Sequence, residues 1–354
     1  MPDRFDCPDA IGGHGRPDPA AIFAAPGLFG EPRADVDLYG AGVRLNAFEQ
    51  RIADLLGKEA GVFMPSGTMA QQIALRVVAD RTGLRTFAAH PTNHLTLHER
   101  DGITRLHGLH LVPLATAVTP IALDDVRALA EPVATLLIEL PQRELGGLLP
   151  AWDQLVAMTE TARERGWHVH LDGARLWESG PYYKRSYARI AALFNSVYVS
   201  FYKGIGGIAG AMLCGSRPLI DEARIWQRRH GGNLMALYPY AAVAEQSFDL
   251  RIERMRAYRE AATWLSKIVA AQPGTLHVGP MPPPTNMFHA YLRVPPDVLR
   301  ERIAAVARDH GVWTILRPAA TPIDGITKWE ISAGDATLAL GPERARAALE
   351  ALLA

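Results

Sequence analysis

An alternation constrains this chain more than any other feature. Short apolar runs at 61–64, 86–89, 109–114, 135–140, 168–171, 196–201 and 211–214 are separated by helical periodicity near 68–81, 122–129, 151–165 and 216–229. Such alternation predicts an α/β fold with a mostly parallel sheet and helices on both faces. The last two runs are joined by a glycine-rich link too short for a helical crossover, so that pair is expected to be antiparallel. Ahead of the runs, Leu45, Phe48, Ile52, Leu55 and Leu56 share one helical face, and Gly57 marks its stop. Behind them, a long helical stretch at 236–268 leads to the proline-rich GPMPPPTN at 279–286. A strand–helix–strand–helix pattern follows at 287–294, 296–310, 328–333 and 337–353. Three parts are expected: an irregular arm at 1–44, a large domain at 45–250 and a small C-terminal α+β domain at 251–354.

Composition narrows the classes of function. Two domains suit 354 residues, and 48% apolar residues suffice for a large core. Lys+Arg and Asp+Glu both number 37, which argues against a whole-chain grip on nucleic acid or an anionic membrane. No apolar run reaches the roughly 18–20 residues of a membrane span. The N-terminal residues carry acids and prolines where a signal peptide would be apolar. Two cysteines, Cys7 and Cys214, give no disulfide framework and suit a reducing compartment. A cytoplasmic protein is expected.

Lysine is rare here: Lys58, Lys184, Lys203, Lys267 and Lys328 stand among 37 basic residues, the rest arginine. Lys203 ends an apolar run and opens the turn KGIGGIAG. A desolvated amine beside such a turn is what a Schiff-base nucleophile requires; the alternative is a surface lysine on a loop. Gly204, Gly206 and Ala209 also match a dinucleotide fingerprint, but a strand rather than a helix is expected next. In HLDGARLW, Asp172 closes a strand, where open sheets place their ligands. Its carboxylate suits either a protonated pyridine nitrogen or a helix N-cap. Arg175 offers a two-pronged donor to a carboxylate. Ser66-Gly67-Thr68, between a strand and a helix, suits a phosphate or a plain cap. His90, His94, His98 and Glu99 crowd one segment. No metal is expected there, because the H-E-x-x-H order and a third ligand are absent. An imidazole for ring stacking and proton transfer is the functional reading, and a half-exposed polar loop the plain one.

The order of these segments resembles the fold-type-I pyridoxal-phosphate enzymes, and among them the L-threonine aldolase and β-eliminating lyase family. LYGAGVRLNAFEQRIADLLGKEAGVFMPSGTMAQQIAL and HLDGARLW carry the likeness, which runs from about Tyr39 to Gly215. The resemblance implies an aspartate aminotransferase-like fold with pyridoxal 5'-phosphate linked to Lys203. Asp172 would pair the ring nitrogen, and His94 would stack on the ring with Glu99 as a partner in proton transfer. Ser66, Gly67, Thr68 and Ser200 would hold phosphate. Arg175, Lys328, Tyr39 and Gln142 would face the substrate. Three departures stand out. Gln142 occupies a place where the family often has histidine, Lys328 replaces its second carboxylate arginine, and Tyr202 replaces the serine before the lysine. The implied reaction is cleavage of L-threonine-type β-hydroxy-α-amino acids to glycine and an aldehyde. The alternatives are β-elimination, racemisation or transamination, or a cofactor-binding protein without turnover. The substrate would be a small amino acid. A homodimer or homotetramer with sites at the subunit interface is also implied.

Overall fold

The structure is a computed structural model that describes residues 7–15, 18–25, 27–28 and 36–354. Parts of the expected arm, at 1–6, 16–17, 26 and 29–35, lie outside the described residues. The chain divides into two compact units. The larger takes the described residues from Ala25 to Glu144 and Leu149–Ile252; the smaller takes those up to Ala24, Leu145–Leu148 and Glu253–Ala354.

Seven strands form the sheet of the larger unit: β1 (Ala60–Met64), β2 (Thr86–Ala89), β3 (His110–Pro113), β4 (Thr135–Glu139), β5 (His168–Gly173), β6 (Ser196–Ser200) and β7 (Ala211–Gly215). Their order is β1-β7-β6-β5-β4-β2-β3. The strands from β6 to β3 pair in parallel, with register partners such as Glu139 and Asp172. As the short link predicts, β6 and β7 are antiparallel. β1 also pairs antiparallel with β7, an edge placement that the pattern of runs does not specify. Parallel strands sandwiched between helices are apolar on both faces, which is why they read as unbroken runs.

Packing against this sheet fixes the helices. In α1 (Val43–Leu55), Leu45, Phe48 and Ile52 are buried, and Gly57 beyond its end takes the left-handed φ of +61° that stops it. α2 (Gly67–Thr82) sets Ala70, Ile73, Ala74 and Val77 against Val62, Met64, Ala211 and Leu213 of the sheet. Beside it, α5 (Arg217–Arg229) adds Leu219, Ile220 and Ala223 to the same core. Each large apolar side chain so buried contributes about 1.5–3 kcal/mol. α2 is thereby held with its N-terminus at the end of β1.

The expected helical stretch at 236–268 is two helices, Tyr238–Arg251 and α7 (Met255–Ala270), broken by a 3-10 turn at Ile252–Arg254. In the smaller unit, four antiparallel strands run in the order Ala319–Ala320, Thr327–Ser332, Met287–Leu292, Thr275–Gly279. The proline-rich segment therefore joins two paired strands, the first of which, Thr275–Gly279, the sequence pattern does not predict. Its prolines fall outside the ladder, where a missing N–H costs nothing. Leu265, Phe288, Trp329 and Leu349 are among the buried residues of this unit's core. Part of the arm is regular too, since Asp9–Ala10 pairs in parallel with Val312–Trp313. Among the described residues, no helix is long and apolar enough to cross a membrane.

Candidate active site

The chemistry-bearing residues gather at one edge of the large sheet, where β1, β4, β5 and β6 end. At the end of β1 the chain enters α2. Ser66 caps that helix by accepting from the Met69 N–H at 3.3 Å. The Gly67 N–H donates to the Tyr202 hydroxyl at 3.1 Å. Gly67 has to be glycine, because a Cβ there would lie 1.9 Å from the buried Tyr198 hydroxyl. The helix dipole and first-turn N–H groups make this corner favourable for an anion.

Asp172, 1% exposed, closes β5. Its Oδ2 accepts from Gln71 Nε2 at 2.7 Å and its Oδ1 from the Ala174 N–H at 3.1 Å. The next helix, α4 (Leu176–Tyr183), has Arg175 at its N-cap position, so the N-cap reading of Asp172 fails. Across the sheet Glu139 ends β4. Burial raises both carboxyls, and for Glu139 the charge on Asp172 adds to it. Hydrogen bonds from Ala174 and Gln71, then the charges of Lys203 and Arg175, pull Asp172 back down.

Lys203 begins the turn after β6, its Nζ 5.3 Å from the centre of the Tyr202 ring. Hydrogen bonds from Gly207 N to Phe201 O at 2.7 Å and from Gly206 N to Lys203 O at 3.0 Å close that turn. Strand β7 follows at once, so the dinucleotide fingerprint has no helix to serve. A Cβ on Gly204 would meet Glu178 Oε1 at 1.9 Å. Burial lifts the Glu178 carboxyl to about 7.

His94 opens the short helix α3 (His94–Leu97), which Asn93 caps by accepting from the Thr96 N–H at 3.3 Å. Its Nε2 lies 3.8 Å from Glu99 Oε1. Burial, then the charges of Lys203, His98, Arg143 and Arg175, lower the His94 imidazole to about 4. This cationic basin, in a chain of zero formal charge, suits an anionic ligand. Glu99 is held from α2 by Gln72 Nε2 at 2.8 Å and by Thr68, while burial raises it to about 7. His90 is structural, with Nδ1 2.7 Å from the Thr92 hydroxyl and Nε2 2.8 Å from the Thr119 carbonyl. Gln142 is buried and donates to Thr92 Oγ1 at 3.4 Å.

Three expected site residues stand elsewhere or are differently engaged. Ser200 is fully buried and donates to the Ala174 carbonyl at 2.9 Å, so Tyr202 is what meets the Gly67 N–H. Tyr39 is exposed, at φ +51°, on a turn pinned by Asp37. Lys328 lies on a strand of the smaller unit, paired with Tyr291 and Ala319. Gln71, Gln72, Arg143, Glu144 and Glu178 were not singled out by sequence. They lie inside helical or polar stretches with no spacing of their own, and only the fold brings them to the site.

Comparison with known proteins decides the family. A model of the β-eliminating lyases matches residues 32–293. The chain belongs to that family. A Listeria monocytogenes structure, provisionally described as an L-allo-threonine aldolase, superposes with a TM-score of 0.93 at 42% identity, covering 99% of this chain and 98% of that one. The Penicillium aethiopicum aldolase vrtJ is 32% identical over 52% of this chain and 49% of its own length. The low-specificity L-threonine aldolase of Escherichia coli K12 is 28% identical over 65% and 70%. Matches to the most similar curated relatives thus span from about half to 70% of those proteins' lengths. The fold is that of the fold-type-I pyridoxal-phosphate enzymes.

The residues fit the cofactor that this fold implies. Gln71 Oε1, Glu99 Oε1 and Glu139 Oε2 are buried polar atoms without a hydrogen-bond partner at one sheet edge. Unsatisfied buried groups cost about 1–3 kcal/mol each, so such a cluster marks a site made for a polar guest. Asp172 suits a ring N–H, Lys203 a carbonyl carbon, and the α2 N-terminus a phosphate.

Proposed function

We propose that this chain is a pyridoxal-phosphate-dependent lyase that cleaves L-β-hydroxy-α-amino acids of the threonine type to glycine and an aldehyde. The observation that carries this reading is the gathering of Asp172, Lys203, His94 and the α2 N-terminus at one sheet edge, in a member of the β-eliminating lyase family. Relatives named as threonine aldolases support the reaction class.

When bound, the cofactor supplies an electron sink for a bond broken at Cα. Lys203 would hold its aldehyde carbon, and the buried Asp172 carboxylate would hold its ring nitrogen protonated. Gly67, Thr68 and Tyr202 face its phosphate. The His94 ring, neutral at physiological pH because its imidazole is lowered to about 4, would cover the cofactor face. Arg175 grips the substrate carboxylate with two parallel donors and so selects the bond that breaks.

A second reading has its own observation. Where relatives often place a histidine, the amide of Gln142 is turned to Thr92 and has no proton to exchange at neutral pH. That favours β-elimination, racemisation or transamination at the same centre. Incubating the purified holoenzyme with a panel of β-hydroxy amino acids separates the two. Glycine and aldehyde in equal amounts support the first; ammonia and keto acid, D-isomer, or amino-group transfer without glycine would overturn it.

A further inference from the structure

One imidazole at the site has no task in that reaction. His98 follows His94 by one helical turn, and the two rings lie 5.1 Å apart between centres, tilted by 37°. His98 Nε2 is 3.0 Å from Glu144 Oε1. Arg143 Nη1 is 3.0 Å from the same nitrogen and 3.1 Å from the same carboxylate oxygen. Nε2 can either accept from Arg143 or donate to Glu144. When it donates, Glu144 receives from both neighbours and the Nδ1 lone pair is left as an acceptor. An imidazole whose far nitrogen is fixed by a carboxylate is the usual build of a general base. The ring is also within reach, its side chain 34% exposed and that of Glu144 18%.

We propose that His98, oriented by Glu144, takes the proton of the substrate's side-chain hydroxyl, while His94 serves as a neutral ring. This rests on the retro-aldol reading above. Two further observations support the division of labour. His94 sits among Lys203, Arg143 and Arg175, and a proton added there would face all three charges. Its 3.8 Å separation from Glu99 exceeds hydrogen-bond length, so Glu99 does not orient it as Glu144 orients His98. Gln142, at the place of a family histidine, cannot act as a base, and His98 supplies an imidazole from a different position.

The proton balance is simple. The hydroxyl proton passes to His98 Nδ1, the O–H electron pair becomes the second bond of the aldehyde carbonyl, and the Cα–Cβ bond breaks with its pair kept on Cα. One proton then returns to Cα to give glycine, so no atom or electron is gained or lost. Glu144 keeps its charge throughout and is a positioning residue.

The experiment uses holoenzyme carrying His98→Phe, His98→Gln or Glu144→Gln, with melting temperature and cofactor affinity measured to confirm folding. Two reactions are followed on each: aldehyde release from the best β-hydroxy amino acid, and exchange of glycine's α-hydrogen with deuterated water by NMR. The exchange needs the cofactor, Lys203 and Arg175 but no hydroxyl proton. Both His98 variants should lose about 10²–10⁴-fold in kcat for cleavage, with KM and glycine exchange within about threefold of wild type. Glu144→Gln should lose roughly tenfold in the same kcat and leave exchange intact. Cleavage retained in the His98 variants, or cleavage and exchange falling together, overturns the assignment. A wild-type enzyme that exchanges glycine yet cleaves nothing overturns the retro-aldol reading and this assignment with it.

Discussion

At the scale of single residues, Asp172 carries the sharpest test. Replacing it with asparagine should preserve the fold. The side-chain oxygen can still accept from the Ala174 N–H, and Gln71 can turn so that its unpartnered Oε1 accepts from the new amide. The substitution also removes a buried charge, so thermal melting of the cofactor-free Asp172→Asn protein should not fall. Catalysis should fall by roughly 10²–10³-fold, the usual cost of losing a preorganised electrostatic partner. An Asn variant with near wild-type kcat would show that Asp172 has no part in the chemistry. Arg175→Ala is expected to cut kcat/KM by about 10- to 150-fold, from the roughly 1.5–3 kcal/mol of a charged hydrogen bond. Lys328→Arg should be tolerated, and steady-state kinetics on both variants measures it. Lys203 and Asp172 were legible in the sequence because rarity and position at strand ends set them apart. Gln71 was not: it lies 101 residues from Asp172, and a glutamine within an apolar helix carries no signal of its partner.

At the scale of elements, the corner between β1 and α2 shows how a turn serves a site. A Cβ at Gly67 would lie 1.9 Å from Tyr198 Oη, 2.4 Å from its Cζ and 2.8 Å from Tyr202 Oη. Tyr198 is buried in β6 and cannot retreat, so the helix N-terminus would have to move. Gly67→Ala should therefore destabilise the protein by about 1–3 kcal/mol, as overpacking does, and weaken cofactor binding at least tenfold. Melting curves and a pyridoxal phosphate titration read the two effects; unchanged affinity would show that this turn does not hold the phosphate. The periodicity located the strands of the large sheet and the helices Gly67–Thr82, Leu123–Ala128, Trp152–Glu164 and Arg217–Arg229 closely, but not the short helices His94–Leu97, Gly102–His107, Leu176–Tyr183 and Tyr187–Ala191. It did not locate the antiparallel placement of β1 or the strand Thr275–Gly279. Pairing partners are set by tertiary contacts, and that strand is partly exposed with polar residues in it. A helical period also runs straight through Ile252–Arg254, so the break between the two helices there was not visible, although the expected boundary at 250/251 falls beside the division between the two units.

At the scale of the whole molecule, buried titratable groups set a narrow window of stability. Burial raises Glu99 and Glu178 from 4.5 to about 7, and raises Glu139 as well. It lowers His94, His107 and His168 from 6.5 to about 4, and His170 to about 3. The carboxyls keep protons in the folded state that the unfolded chain has released, so the stability they lend below pH 4.5 is lost as pH rises through 7. The histidines do the reverse: their contribution is complete above pH 6.5 and is lost as pH falls toward 4. Between 4.5 and 6.5 the four histidines outweigh the three glutamates, so stability still climbs slightly with pH. His230, lowered by burial, adds to the histidine side, and Asp172, raised by burial, adds to the carboxyl side. Above 6.5 only the carboxyl side remains, and stability declines. Lys58, lowered by burial to about 8, opposes the decline only beyond that pH. The cofactor-free protein should accordingly melt highest near pH 6.5, several degrees lower at pH 8 and only slightly lower at pH 4.5. Glu99→Gln, which removes that buried carboxyl's share of the alkaline loss, should flatten the fall between pH 6.5 and 8 by roughly 1 kcal/mol. Calorimetry across pH 4.5–8 checks both statements, and a melting temperature that rises steadily to pH 8 would mean that these carboxyls ionise freely in the folded protein.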